Sequence, residues 1–247
     1  DLPTVIAVII LADPQNGFPL AILDGTYLTS IRTGAAGAVA AKLLSRKNSR
    51  IAGFVGCGTQ ARSQLACILE VRKLKAVKIW QYNAKDEIAP RFKTWVKRTY
   101  KLDAMISPVI DEVTTNVDIL LTTTPSRRPL VNKVSPGTHI NAIGADAEGK
   151  EEINPKILKQ AKLVIDDWAQ TSHSGEINVP VRKRQLTRKD IYAGLGDIVA
   201  GKQKGRTKDE KITLFDSTGL AIQDVSCAYT VYQALKDKTG IKQIELF

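Results

Sequence analysis

The chain has 247 residues, 43% hydrophobic and 25% charged, the balance of a soluble globular protein able to bury a substantial core as one large or two modest domains. Its longest apolar runs, such as Val5–Ala12, fall far short of the roughly 20 residues needed to cross a bilayer, and no basic leader opens it. The net charge of +11 suits anionic ligands, but the basic residues are interleaved with acids and lack an aromatic platform, which argues against nucleic acid.

Taken in order, Thr4–Leu11 and Pro19–Leu23 read as two strands joined by the D-P-Q-N-G turn of Asp13–Gly17. The alanine-rich Ser30–Leu44 then reads as a helix. From Arg50 onward short apolar runs alternate with longer amphipathic ones. The strand-like runs are Ile51–Val55, Val77–Trp80, Ala104–Ile106, Asp118–Leu121, His139–Ile143, Leu163–Ile165 and Ile212–Phe215. Helix-like segments at Gln60–Leu74, Glu87–Thr99, Pro155–Ala161 and Ile191–Gly201 separate most of them. Strands separated by helices predict parallel crossovers and an α/β, doubly wound sheet. Leu220–Asp237 predicts a last long helix and Gln243–Phe247 a last strand, which with the first hairpin suggests a second, smaller sheet. The chain starts without Met and almost at once in an apolar strand, so preceding sequence is expected to be missing.

The most specific local signal is I-A-G-F-V-G-C-G-T-Q-A, residues 51–61, an apolar strand running into Gly56, Gly58 and Ala61 and then a helix. Gly56 suits the tight turn out of the strand, Gly58 presents no Cβ to a pyrophosphate, and Ala61 permits close packing of helix on strand. Phosphates would then meet free N–H groups at the positive end of the helix dipole. An acid about 20 residues past the glycines ordinarily binds the ribose 2′-OH; here that place is Gln81, followed by Tyr82, Asn83, Lys85 and Asp86. Without that acid a 2′-phosphate meets less repulsion, and Lys85 or Arg62 could reach one, so NAD and NADP both fit.

Cys57, Cys67 and Cys227 form neither a metal-ligand spacing nor an even disulfide set, which fits a reducing cytoplasm. The only histidines are His139, read as a hydrogen-bonded core residue within a strand, and His173; no histidine–carboxylate cluster has metal spacing. Glu176 and Asp216 are ionisable but receive no chemistry from their pattern.

Five segments together carry a resemblance: L-P-T at Leu2–Thr4, L-T-S-I-R-T-G-A-A at Leu28–Ala36, the G-C-G-T-Q-A corner, T-H-I-N-A-I-G-A-D-A-E-G-K-E-E at Thr138–Glu152, and F-D-S-T-G-L-A-I-Q-D at Phe215–Asp224. The chain resembles the ornithine cyclodeaminase and mu-crystallin family over essentially its whole length. T-T-T-P-S-R-R-P (Thr122–Pro129) and S-T-G-L-A-I-Q-D are most similar to its archaeal-type alanine dehydrogenase branch. The resemblance implies a Rossmann domain, residues 33–218, and a substrate and dimerisation domain from 1–32 and 219–247. It further implies a homodimer and an additional N-terminal segment supplying a lysine and an arginine to the substrate.

By residue, the resemblance makes Asp146 the acid/base at the substrate Cα, although the pattern alone equally suits a turn aspartate capping local N–H groups. Arg32 matches the arginine beside substrate carboxylate and nicotinamide, a role a guanidinium fork fills well, and Thr218 matches a substrate-binding position. Thr4, Thr59, Gln60, Gln81, Thr124, Ile143, Gly144, Ala145, Lys150 and Ser217 match positions lining the dinucleotide, with capping or turn roles open for the threonines. The implied activity is an NAD(P)-dependent oxidoreductase interconverting a small L-amino acid, alanine foremost, with its 2-oxoacid and ammonia. The alternatives are a redox-neutral ornithine cyclodeaminase and an NADPH-binding crystallin-like or ketimine reductase protein. Alanine dehydrogenases and cyclodeaminases carry Asp where this chain has Gln81.

Overall fold

A computed structural model describes residues 5–83, 86–240 and 242. It divides into two compact units, residues 1–32 with 220–247 and residues 33–219. Thr4, Lys85 and the strand expected at Gln243–Phe247 lie outside the described residues.

In the first unit, β1 (Val8–Ala12) and β2 (Pro19–Asp24) form an antiparallel hairpin. Its turn follows from its residues: Gly17 takes φ +76°, the Asp13 amide donates to the Phe18 carbonyl at 2.8 Å, and the Asp13 carboxylate accepts from the Gln15 amide at 2.8 Å. Helix α1 (Gly25–Leu44) starts five residues before the expected Ser30, directly from the second strand, and contributes its residues through Arg32 to this unit and the rest to the second.

The second unit is built on an eight-stranded, all-parallel sheet. Seven strands fall where expected: β3 (Ile51–Val55), β4 (Ala76–Trp80), β5 (Asp103–Ser107), β6 (Ile119–Thr122), β8 (His139–Ala142), β10 (Lys162–Ile165) and β12 (Thr213–Asp216). The eighth, β11 (Ala193–Gly194), and helix α8 (Leu195–Val199) replace the single helix expected over Ile191–Gly201. Two short strands outside this sheet, β7 (Arg127–Val131) and β9 (Glu151–Ile153), pair in parallel with each other.

The order is β11-β10-β12-β8-β6-β3-β4-β5. The chain leaves β3 in one direction through β4 and β5, then returns to its other side at β6, so the C-terminal ends of β3 and β6 border the crevice where ligands of such sheets bind. Successive residues serve opposite faces. Phe54, Ile119 and Leu121 pack on one side with Ala38 and Ala41 of α1, Leu65 and Ile68 of α2 (Thr59–Leu69), and Phe92 and Val96 of α3 (Ile88–Tyr100). Val55, Leu120, Ile140, Leu163 and Leu214 pack on the other with Ile110 of α4 (Ile110–Thr114), Leu158 of α5 (Pro155–Gln160) and Val181 of α7 (Asn178–Arg182). A further short helix, α6 (Trp168–Ser174), precedes α7. The sheet is covered on both sides, the doubly wound arrangement expected.

Helix α2 ends at Leu69 rather than Leu74, because the buried Arg72 turns away to cap α1. Its guanidinium donates to the Ala41 and Lys42 carbonyls at 3.0 and 2.8 Å and to Ser45 Oγ at 2.9 Å, placing a cation on the carbonyl end of that helix. In the first unit, α9 (Ala221–Leu235) lies within the expected span Leu220–Asp237.

Asp118 staples the edge that introduces β6, accepting from the Arg50 and Ile51 amides at 2.6 and 2.9 Å and pairing with Arg46 at 2.5 Å. Burial pushes this carboxyl up, but the two amides and the guanidinium outweigh it and hold it below the usual carboxylate range. A folded-state value below the unfolded one makes its contribution complete above the ordinary carboxylate range and lost as pH falls through the folded value. Asp118→Ala is therefore expected to cost about 1–3 kcal/mol, read as a lower denaturant midpoint at neutral pH, with the difference from the parent shrinking in acid.

Candidate functional site

The β3–α2 corner carries the geometry that its glycines suggested. Gly56 lies at φ +99°, and a Cβ there would sit 2.7 Å from Thr123 Oγ1 and 2.9 Å from the Thr123 backbone. Gly58 is exposed with open space where its Cβ would be, and Ala61 is fully buried against the core. No side chain caps α2, leaving the amides of its first turn to be satisfied from outside. Two buried oxygens border the corner without a hydrogen-bond partner among the described residues, Gln60 Oε1 and Thr123 Oγ1. Bare amides, an open glycine and orphaned polar atoms together fit a dinucleotide diphosphate. Thr59, proposed from its position, is exposed in the first turn; it does not cap the helix. Burial pushes the Cys57 thiol up to about 11, with nearby Asp86 adding to the rise and Arg62 opposing it, so this thiol is no nucleophile at neutral pH.

Along the same sheet edge, Ile143 and Ala145 are buried just past β8, and Gly144 lies between them. A Cβ at Gly144 would stand 2.4 Å from the Thr124 carbonyl and 2.5 Å from Glu152 Oε2, so only glycine lets the two strand-end loops approach this closely. Asp146 follows, exposed and ion-paired to the half-buried Lys150. At the end of β12, the Ser217 hydroxyl is buried with no partner among the described residues. Thr218 is otherwise engaged: its amide and hydroxyl donate to the Asp166 carboxylate at 2.7 and 3.0 Å. The Thr124 hydroxyl is likewise committed, donating to Glu152 Oε1 at 2.6 Å. Past β4, the Gln81 carboxamide donates to the Asn83 and Asp86 carbonyls and so folds the loop on itself.

Arg32 belongs to the other unit. Its Nε donates to Asp224 at 3.1 Å and its Nη1 to Gln223 Oε1 at 3.3 Å, a brace from α9 that fixes the plane of the fork.

The pattern of the sequence did not reveal what holds the strand-end loops. Glu152, on β9, accepts from the Thr124 amide at 2.7 Å, the Thr124 hydroxyl and, through its other oxygen, the Gly144 amide at 3.0 Å. Its own amide and that of Ile153 donate to the Glu176 carboxylate at 2.9 and 2.7 Å. The amides of Glu176 and Ile177 donate in turn to Asp216 at 2.9 and 3.1 Å. All three acids are fully buried. Burial pushes Glu152 up to about 7 against the hydrogen bonds it accepts, and Asp216 up to about 8; Glu176, between two carboxylates, is raised well above its usual value, first by burial and then by their charge. Glu152 had no signal of its own in the polar G-K-E-E stretch; the ending of an apolar strand on Asp216 was the only hint.

His139 supplies no acid/base here. His139 is fully buried between Thr213 Oγ1 and Asn141 Oδ1, at 3.0 and 2.9 Å, and burial drives it down to about 3, so it is a neutral core residue as expected. Among the described residues no group of His, Cys, Asp and Glu could hold a metal ion, all three cysteines are free, and no helix is long and apolar enough to cross a membrane.

Comparison with known proteins agrees with this geometry. The model of the ornithine cyclodeaminase/mu-crystallin family matches residues 1–239. The alanine dehydrogenase of Archaeoglobus fulgidus is 48% identical over 100% of this chain and 76% of that protein. A solved archaeal alanine dehydrogenase dimer with bound NAD superposes with a TM-score of 0.94 at 48% identity, covering 100% of this chain and 76% of that one. The Thermococcus litoralis Delta(1)-pyrroline-2-carboxylate reductase, solved with NADH and L-proline, gives 0.90 at 38% identity over 95% of this chain and 73% of that one.

Proposed function

The chain belongs to the ornithine cyclodeaminase/mu-crystallin family, and we propose that it is a nicotinamide-dinucleotide-dependent dehydrogenase interconverting a small L-amino acid, alanine foremost, with its 2-oxoacid and ammonia. The observation that carries this reading is the uncapped, glycine-opened β3–α2 corner on the same sheet edge as one exposed carboxylate, Asp146. The 48% identity to an alanine dehydrogenase supports the choice of substrate.

When bound, the dinucleotide supplies the acceptor for the Cα hydride. The first-turn amides of α2 hold the diphosphate, and the loops after β6 and β8, carrying Thr124 and Ile143–Ala145, line its nicotinamide half. Arg32, braced by Asp224 and Gln223 within the first unit, keeps N–H donors of the kind that grip a carboxylate. Loss of hydride leaves an iminium carbon; Asp146 takes the proton of the water that adds there and returns one to the departing ammonia. Lys150 orients that carboxylate. The protein works as a homodimer: the first unit exposes Val8, Ile10, Ile22, Ile222 and Val225, apolar surface suited to a second copy. The free cysteines suit the cytoplasm.

The deciding assay presents purified protein with NAD and NADP and either L-alanine or L-ornithine. Reduced nicotinamide accumulating with alanine, and alanine formed from pyruvate, ammonia and reduced cofactor, is the expected result. Proline and ammonia from ornithine with no net cofactor reduction would make it a cyclodeaminase instead; dinucleotide binding without turnover of any amino or imino acid would make it a binding protein.

A further inference from the structure

We propose that the adenosine end of this site is built for a 2′-phosphorylated dinucleotide, with Arg62 as the phosphate ligand and Gln81 as the residue that admits it. This rests on the reading of the β3–α2 corner as the dinucleotide site.

Three observations lead there. First, the residue directly after β4, where a ribose-binding acid repels a 2′-phosphate, is the neutral Gln81, and both its N–H donors are spent on the Asn83 and Asp86 carbonyls. Second, Arg62 stands on the first turns of α2, four residues past Gly58, with its guanidinium over the rings of Trp95 and Phe92 at 4.8 and 5.7 Å. Aromatic faces hold its plane, and no carboxylate pairs with it among the described residues. A preset, uncompensated guanidinium is what binds a phosphate dianion bidentately. Third, Arg62 borders a hollow of about 390 Å³ that Arg91 and Arg98 also line, against one acid, Glu87. The local excess of positive charge favours an extra phosphate.

A competing acid is Asp86, whose Oδ1 accepts the Ile88 amide at 2.9 Å and so caps the start of α3. Were Asp86 instead the ribose ligand, the preference would turn to the unphosphorylated dinucleotide.

Fluorescence titration of NADPH and NADH on the full chain, with 2′,5′-ADP and 5′-AMP as competitors, tests this without turnover. The unsubstituted protein is expected to bind NADPH at least about tenfold tighter than NADH. Arg62→Ala should weaken NADPH by about 10- to 100-fold while moving NADH by no more than a few fold, Arg62→Lys should recover part of the loss, and Gln81→Asp should invert the preference. Competition by 2′,5′-ADP should exceed that by 5′-AMP and vanish in Arg62→Ala. Equal or tighter binding of NADH, or equal weakening of both dinucleotides by Arg62→Ala, overturns the proposal while leaving the site intact. Failure of both dinucleotides to bind overturns the site and the proposal together.

Discussion

Replacing Asp146 with Ala is expected to lower turnover by about 10²–10⁴-fold, the usual worth of a positioned proton carrier, while dinucleotide affinity stays within a few fold. The separation of effects follows from where the residue sits. Asp146 is exposed beyond the end of β8, and its ion pair with the half-buried Lys150 is open to solvent on the Asp146 side, so its removal costs the fold little. The residues assigned to the diphosphate lie on the β3–α2 corner and do not depend on it. His139 is no substitute, being buried and neutral, and Glu152, Glu176 and Asp216 are buried and engaged by backbone amides. Asp146→Asn, which keeps shape but cannot carry a proton, should be as inactive as the alanine variant. The measurements are steady-state amination and deamination together with a dinucleotide titration. Turnover unchanged in both variants would remove Asp146 from the chemistry; turnover and dinucleotide affinity falling together would make it a structural residue.

The parts of this fold legible in the sequence are those whose signal is local. The central strands show because parallel strands covered on both faces must be apolar throughout, as in Ile119–Thr122 and Ile51–Val55. The corner shows because steric demands of a close backbone approach fall on residues two and three apart. Arg72 and Glu152 did not show because their roles come from partners far along the chain. Arg72 stops α2 by capping α1, some 30 residues earlier, and Glu152 serves amides 28 and 8 residues before it. Strands β7 and β9 were missed for a related reason: Arg127–Val131 includes Pro129 and two arginines, and three residues at Glu151–Ile153 are too few for a period. Charged residues in a short loop read as solvated, and only the fold reveals that this loop runs into the interior. The residues proposed to face the ligand are thus those with a local pattern, and the residues that support them are those without one.

That support predicts the behaviour of Glu152→Gln, a change of nearly equal volume. The carboxylate receives three donors, the Thr124 amide and hydroxyl and the Gly144 amide. A carboxamide offers one acceptor oxygen and an NH2 group, so at least one buried N–H faces another donor. Leaving such a group unmet costs about 1–3 kcal/mol, and the loops displaced are those assigned to the nicotinamide half, so dinucleotide affinity is expected to fall about 10- to 100-fold. Acid should have the same effect on the unsubstituted protein. Glu152 is pushed up to about 7, so affinity should decline as pH drops through that value, when an added proton takes the place of one donor. Glu176 and Asp216 face the same buried line and Asp166 stands beside Asp216, so the step belongs to the group of acids and is broad. Stability runs the other way. Folded-state values above the unfolded ones mean that the folded protein binds more protons between the ordinary carboxylate range and about 8, so the cluster's contribution falls as pH rises across that window. Glu152→Gln should flatten both trends in part, the affinity step most. Denaturant midpoints and dinucleotide titrations from pH about 5 to about 9 read the two separately. An affinity that is level across that range in the parent, or unchanged in Glu152→Gln, would show that the ladder of acids does not hold the cofactor loops.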